Sequence, residues 1–458
     1  MMKEMKSMEE VRATERLTAI QQLLDAKDYK TLKQYLGEVY PMDLAEIFDE
    51  LDPDEVVILF RLLYKDQAAE VFSYLSTGRR KAIVSAIHVK LLEHILDDLY
   101  FDDKIDFLEE MPANFVKSLI ASAPPEERKM INQFLNYPDN SAGSLMTIEY
   151  VDLKKHMTVR QALDRIKAVG VDKETIYTCY VLDDTRRLEG IISLRRLVLS
   201  DEDQRIGDIM TNDVVLAEAT DDQEEVAEMF RKYDLIAIPV VDAETRLIGI
   251  ITIDDIMDVI DRENTEDFQK MAAMEPSDEA YLEAGVFHLA RRRIVWLLVL
   301  MVSATFTGGI ISRYTALLGA VVALASFIPM LMDSGGNAGS QSSTLIIRGI
   351  ALGEIGLSDW PKVLWKELRV SLLVGLGLGA VNALRMVVIG QSDPALILTV
   401  GITLVCTIVV AKMVGGALPI AAKALGMDPA IMAGPLITTI VDAIALIIFF
   451  SIASALIL

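Results

Sequence analysis

Asp442 sits near the middle of an apolar run at about 430–458 that it alone interrupts, thirteen residues after Pro429. A carboxylate at bilayer depth costs about 2.5–3.5 kcal/mol on insertion scales, and aspartate is too short to reach either interface from there. Three accounts are open: a cation site, a proton relay, or a structural ion pair with Arg385 or Lys412, each of which interrupts another apolar run. Gly434, Pro435, Thr438 and Thr439 favour the cation account, because hydroxyls and freed backbone carbonyls are oxygen donors to a hydrated ion. No His or Cys cluster accompanies them, and hard oxygen ligands suit magnesium or calcium better than zinc or copper. Asp428 stands directly before Pro429 and reads as a helix N-cap, a structural role.

A second concentration of carboxylates runs from Asp254 to Glu283. Asp254, Asp258 and Asp261 recur at helical spacing, as do Glu263 and Asp267, so like charges share a helix face and repel. Alone, such a run is a solvated linker helix. Here it joins an acidic region to an apolar one, and divalent cations would relieve the repulsion. No Walker-type phosphate loop is present, which argues against an ATP-driven pump, and no catalytic constellation points to an enzyme.

The elements that carry these residues differ sharply in composition. Residues 1–290 hold 33 Lys+Arg against 60 Asp+Glu, whereas residues 291–458 hold 11 against 7. An acidic front argues against nucleic-acid binding, which needs clustered bases. Two cysteines, Cys179 and Cys406, exclude a disulfide framework. The first ten residues lack the apolar core of a secretory signal, so the front is expected in the cytosol. Apolar runs at 294–311, 314–332, about 370–390, about 395–411 and about 430–458 are long enough for five membrane spans. Arg291–Arg293, Arg348, Lys362, Lys366, Arg369 and Lys423 all fall on the inner side if the N-terminus is inside, which puts Leu458 outside. Gly308, Gly309, Gly375, Gly377, Gly379, Gly415 and Gly416 suggest close helix packing. Pro329, the run Asp333–Gln341 and Pro419 are expected to break helical hydrogen bonding and open a polar pathway.

The front is built of two repeats. Residues 45–135 repeat every 24 positions, aligning Ile47-Phe48, Val71-Phe72, Ile95-Leu96 and Leu119-Ile120, the signature of a short α-solenoid. Helix-starting signals recur at Asp52–Glu55, Ser76–Arg79 and Pro124–Glu127. Next, LMTIEYV from Leu145 resembles IMTNDVV from Ile209, and VLDDTRRLEGIIS from Val181 resembles VVDAETRLIGIIT from Val240. Each copy reads as strand, turn, strand, with an amphipathic helix at Gln223–Tyr233, and the pair looks like tandem α/β CBS domains. In such domains a Ser/Thr-x-x-Asp holds a ribose: Thr252 and Asp255 match it, but Ser193 is followed by Arg196 in place of the acid.

Taken together, the multi-domain order of solenoid, CBS pair, acidic linker (plug) helix and five-helix transmembrane domain resembles the MgtE-type magnesium transporter family. The most specific stretches are Tyr137–Val151, Ser334–Arg348 and Asp428–Ala443. The expected boundaries are 1–140 for the helical repeat, 141–261 for the CBS pair, 262–290 for the plug helix and 291–458 for the pore domain. The resemblance implies a homodimer in the cell membrane, a channel for magnesium between subunits, and selection of the hydrated ion by Asp442. It implies a pore lined by Asn337, Ser340, Gly434, Pro435 and Thr438; Ser340 and Gly434 stand where some members have Asn. It implies regulatory magnesium on Glu70, Asp102, Asp106, Asp222, Glu224, Asp234, Asp255, Asp258, Glu263, Glu266 and Asp267, closing the pore when the ion is plentiful. ATP is a further regulator to test at Thr252 and Asp255. A proton- or sodium-coupled exchanger, and a non-transporting membrane-anchored nucleotide sensor, are the alternatives.

Overall fold

The computed structural model describes residues 2–86, 92, 95–96, 99–277, 281–282, 284–391 and 393–457. Leu458, and Asp278, Glu279 and Glu283 of the acidic stretch, lie outside the described residues. The chain divides into two units, Met1–Ile256 and Met257–Leu458.

In the first unit, helices at Pro41–Glu50, Pro53–Phe60, Lys65–Tyr74, Thr77–Ala86, Phe101–Glu110, Ala113–Ser122 and Pro125–Phe134 account for the 24-residue period, which holds two helices per repeat. Proline at the first helical turn suits Pro41, Pro53 and Pro125, since the missing N–H would have no partner there. The repeated apolar positions face inward: Phe48, Phe72 and Phe107 are fully buried, and the Phe72 and Phe107 rings meet edge-on at 5.3 Å.

Two three-stranded sheets follow, β1 (Val151–Leu153), β2 (Thr178–Leu182) and β3 (Leu188–Ser193), then β4 (Ala217–Glu218), β5 (Ala237–Val241) and β6 (Leu247–Thr252). In each, the first strand is parallel and the third antiparallel to the middle one. The helices α1 (Val159–Val169) and α2 (Gln223–Tyr233) are the amphipathic crossovers. The duplicated motifs interlock. Thr147, from the first copy, exchanges backbone hydrogen bonds with Ile250 of β6, and Thr211, from the second, does so with Ile191 of β3. Gly190 and Gly249 make this possible: a Cβ would lie 2.7 Å from the Thr211 carbonyl at one position and 2.7 Å from the Thr147 carbonyl at the other. The repeated Met-Thr and Gly-Ile-Ile segments are thus the two halves of one pseudo-symmetric joint.

Helix α3 (Ile253–Met271) begins earlier and ends earlier than the expected plug segment, and its last residues belong to the second unit. The other long helices are α4 (Val286–Arg313), α5 (Ile328–Ala351), α6 (Trp360–Val388), α7 (Pro394–Ala424) and α8 (Gly434–Leu456). Of these, α4, α6, α7 and α8, the last with its leading turn, have the length and apolarity to cross a bilayer. The expected second span at 314–332 is not one helix. A short helix, Thr315–Ala320, gives way to a 3-10 run, Val322–Phe327, and α5 starts afresh with Pro329 in its first turn. A continuous helix would drive the Pro329 ring into the carbonyl four residues earlier. The expected break at Asp333–Gln341 is also corrected, since that run lies inside the unbroken helix α5; Pro419 lies inside α7, where the missing N–H removes one helical hydrogen bond without ending the helix.

Small residues explain the first of these. A Cβ at Gly335 would lie 2.8 Å from Thr407 Cγ2 and 2.9 Å from Val441 Cγ1, and one at Gly336 would lie 2.8 Å from Thr438 Cγ2. Gly415 meets the Gly339 backbone more closely still, so glycine lets α5 nest between α7 and α8. Gly375, Gly379 and Gly416 also pack, whereas Gly308, Gly309 and Gly377 face open space in this chain.

Candidate functional site

Asp442 is the ninth residue of α8, about 12 Å along its axis. Its Oδ1 is sealed from solvent and makes no hydrogen bond. The ion-pair account of Asp442 is not realised. Arg385 Nε donates to Asn382 Oδ1 at 3.2 Å and its Nη2 to Met330 Sδ at 3.5 Å, while Lys412 Nζ donates to Ser342 Oγ at 3.2 Å. The charged neighbour that Asp442 does have is another acid, Asp333 of α5. Thr438 and Thr439 donate to the carbonyls of Gly434 and Pro435, at 2.8 and 2.9 Å, leaving their oxygen lone pairs for another donor or ion. Thr407, which the sequence reading missed, adds a second buried oxygen without a partner, against the Gly335 contact. Asn337 is exposed and Ser340 half-buried on α5.

One face of α5 is mainly polar from Asp333 to Arg348, with Leu345 exposed among the polar residues. Asp333, Asn337, Gln341, Thr344 and Arg348 are all exposed, at spacings of three and four that keep them on one side. The opposite side buries Leu331, Gly335, Ala338, Gly339, Ser342 and Ile346.

In the first unit, acids from five stretches surround one spot. Burial, and then the charges of Asp255 and Asp103, push the Asp102 carboxyl well above the usual carboxylate range. Asp103 is pushed up to about 6 by burial, Asp106 and Asp255, with Arg80 in partial opposition. Asp255 rises to about 6, chiefly by burial, even though its Oδ2 accepts from Thr252 Oγ1 at 2.6 Å. Glu174 rises to about 8 through burial and the fields of Asp254, Asp255, Asp103 and Glu149. Glu70, itself exposed, reaches the same neighbourhood, since its charge acts on Tyr100 together with Glu174 and Asp102. The structure therefore gathers Glu70, Asp102, Asp106 and Asp255, and adds Asp103, Glu149, Asp254 and Glu174. No periodicity in the sequence could single out Glu149 or Glu174, which come from loops beside β1 and β2.

The other expected acids stand apart. Asp222 caps α2 and accepts from Glu224 N at 2.9 Å, and Asp234 ends the same helix in a left-handed conformation (φ 51°), so Asp234 sits at the opposite end from Asp222 and Glu224. In the second unit, Asp258 is exposed, while Glu263, Glu266 and Asp267 are half-buried. Asp267 is pushed up to about 6 by burial and by Asp428. Lys270 is the missed partner: it pairs with Glu266 and, at 2.6 Å, with Asp428. Burial opposes the ammonium, but these hydrogen bonds hold its pKa above the ordinary lysine range. Asp428 is also the expected N-cap, accepting from Ala430 N at 2.7 Å. Met271 packs on Ile347, Ala430 and Ala433, so the end of α3 is seated at the entry to the last span.

Among the described residues, no three His, Cys, Asp or Glu side chains converge closely enough to hold a bare metal ion. Magnesium sheds water reluctantly, and a carboxylate wall that contacts its hydration shell does not need such convergence.

A helical repeat and a CBS pair joined to a bundle of membrane-length helices with an internal carboxylate define a polytopic membrane protein of the ion-transport class. Family models match at 39–140 (MgtE intracellular N domain), at 142–202 and 206–262 (CBS domain) and at 328–452 (MgtE, divalent cation transporter). The chain is 38% identical over 441 residues to the magnesium transporter MgtE of Thermus thermophilus, covering 95% of this chain and 97% of that one. It is 33% identical over 426 residues to the magnesium transporter MgtE of Bacillus subtilis, covering 93% and 94%. The crystal structure of the cytosolic domain of the Mg2+ channel MgtE in complex with ATP covers 53% of this chain and 99% of its own, at 36% identity and a TM-score of 0.51. The chain belongs to the MgtE family.

Proposed function

We propose that the protein is a channel for magnesium uptake, working as a homodimer in the cell membrane with its N-terminus inside. The observation that carries this reading is the exposed polar face of α5 from Asp333 to Arg348, beside the unpartnered oxygen of Asp442. Lipid is a poor neighbour for such a face, whereas water or a second copy of the chain covers it at little cost. Two subunits would line a path with Asp442, Asn337, Ser340, Gly434, Pro435 and Thr438. Magnesium keeps most of its waters and prefers octahedral oxygen coordination, so a few carboxylates contacting a hydrated ion suit it better than a cage of many ligands. A negative interior contributes about 2.3 kcal/mol per charge per 100 mV, roughly twice that for a divalent ion, so inward flux needs no pump.

The acids around Asp102, Asp103, Asp255 and Glu174 supply regulation in this reading. Their raised pKa values express mutual repulsion and burial, both relieved by a divalent counter-ion, so intracellular magnesium favours the compact form and closes the path. Asp222, Glu224, Asp234, Asp258, Glu263, Glu266 and Asp267 are further acids for that ion. ATP is a second regulator, supported by the ATP-bound relative and by the Thr252–Asp255 pair.

The deciding experiment is flux into liposomes with internal and external magnesium varied independently. A channel responds to the magnesium electrochemical gradient alone. An exchanger requires a proton or sodium gradient, and a non-transporting nucleotide sensor gives no flux at all.

A further inference from the structure

Inside the bundle, three side chains from three helices form a chain of hydrogen bonds that the ion path does not account for. Lys412 of α7 is 5% exposed, Ser342 of α5 is 1% exposed and Glu367 of α6 is 9% exposed. Lys412 Nζ donates to Ser342 Oγ at 3.2 Å, and Ser342 Oγ donates to Glu367 Oε2 at 2.5 Å. A hydroxyl can accept from an ammonium and donate to a carboxylate at the same time. Lys412 lies twelve residues before the end of α7, about 18 Å by helical rise, so its charge does not reach water along the axis. Glu367 is the eighth residue of α6, about 10 Å in, and its Cγ lies 3.2 Å from where Gly416 would carry a Cβ. The next residue on α5, Ser343, donates to the Met432 carbonyl at 2.8 Å, in the turn that leads into α8. Two adjacent serines thus bond α5 to α6, to α7 and to the entry of α8.

We propose that Glu367, bridged by Ser342, cancels the buried charge of Lys412, and that the three are positioning residues which fix the register of α5 against α7 and so place the Asp333–Asn337 face and Asp442. The inference rests on the transport reading for its effect on flux, but the charge cancellation itself does not. Leaving one buried charge without its partner is far more damaging than removing both, which is the signature to look for.

The test compares wild type, Glu367→Gln, Lys412→Met, Ser342→Ala and the double variant Glu367→Gln/Lys412→Met, each as full chain. Melting temperature in detergent and magnesium flux in liposomes are the readouts, with Asp442→Asn as the flux control. Glu367→Gln and Ser342→Ala are expected to lower flux roughly tenfold or more and to lower the melting temperature, whereas the uncharged double variant recovers most of both. A double variant no better than Glu367→Gln overturns the proposal, since a simple clamp gains nothing from losing its second half. If the wild type itself passes no magnesium, the transport reading fails. Recovery of the melting temperature in the double variant then still supports the charge cancellation, and lack of recovery refutes it.

Discussion

Asp103, which the sequence reading did not single out, offers a test of the acidic cluster. Its carboxyl is pushed from the ordinary 3.8 to about 6, by burial first and then by Asp106 and Asp255. The difference corresponds to about 3 kcal/mol at 1.36 kcal/mol per tenfold change in proton affinity, an upper figure because the acids titrate together. The sign follows from linkage. Between pH 3.8 and about 6 the folded unit binds more protons than the unfolded chain, so stability falls as pH rises through that window and stays at its reduced value above it. Asp103→Asn removes the charge and keeps the shape. At pH 7.5 in EDTA the variant should be more stable by about 2 kcal/mol, roughly 4–8 °C in the melting transition of the first unit. Magnesium should then stabilise the variant less than the wild type, because one repulsive partner is already gone. At pH 4, where the wild-type group is protonated in the folded unit, the two proteins should melt together. A variant that melts lower than wild type in EDTA at pH 7.5, or a gap of equal size at pH 4 and pH 7.5, would refute the repulsive cluster.

Asp442→Asn should abolish magnesium flux into liposomes while leaving the melting temperature within a few degrees of wild type, because Asp442 Oδ1 has no protein partner to lose; conduction at the wild-type rate would remove it from the path. In a background lacking Cys179 and Cys406, a cysteine at Gln391 should react with an impermeant thiol reagent added outside, and one at Lys362 should not; the reverse pattern would overturn the threading. Ala at Asp255, Asp258 and Glu263 together should leave flux high at internal magnesium that silences the wild type, and unchanged closure would return α3 to the status of a solvated linker. Lys270→Met should expose the chain after Met271 to protease and loosen α3 from Asp428, read as faster cleavage at equal magnesium.

The larger elements were legible because they rest on periodicity and composition. A 24-residue recurrence can only stack, and uncharged runs of that length bury themselves in lipid or protein. The duplicated Met-Thr and Gly-Ile-Ile segments were visible as repeats, but their purpose was not, because Gly190 answers to Thr211 and Gly249 to Thr147, partners that come from the opposite copy. The second membrane segment misled for a related reason. Hydropathy favoured 314–332, whereas the fold places its long helix at Ile328–Ala351, where glycine and serine give contact surface in place of apolar mass.

The site residues divide along the same line. Asp442 was legible because an isolated acid in an apolar run is anomalous whatever surrounds it. Glu367 was not: it follows Lys366 near the start of α6 and reads as part of a basic inner loop, although it is buried at the centre of a three-helix junction. Lys412 was noticed as an interruption of an apolar run and, with Arg385, as a cation that would pair with Asp442 in one of three open accounts. What decides between Asp442 and Glu367 as the partner of Lys412 is the hydroxyl of Ser342, which fits between the ammonium and Glu367. With Lys412 satisfied elsewhere, the charged neighbour acting on Asp442 among the described residues is Asp333. The two features therefore depend on each other: in the proposed arrangement Asp442 Oδ1 is left without a basic partner because the buried Lys412 is satisfied through Ser342 by Glu367.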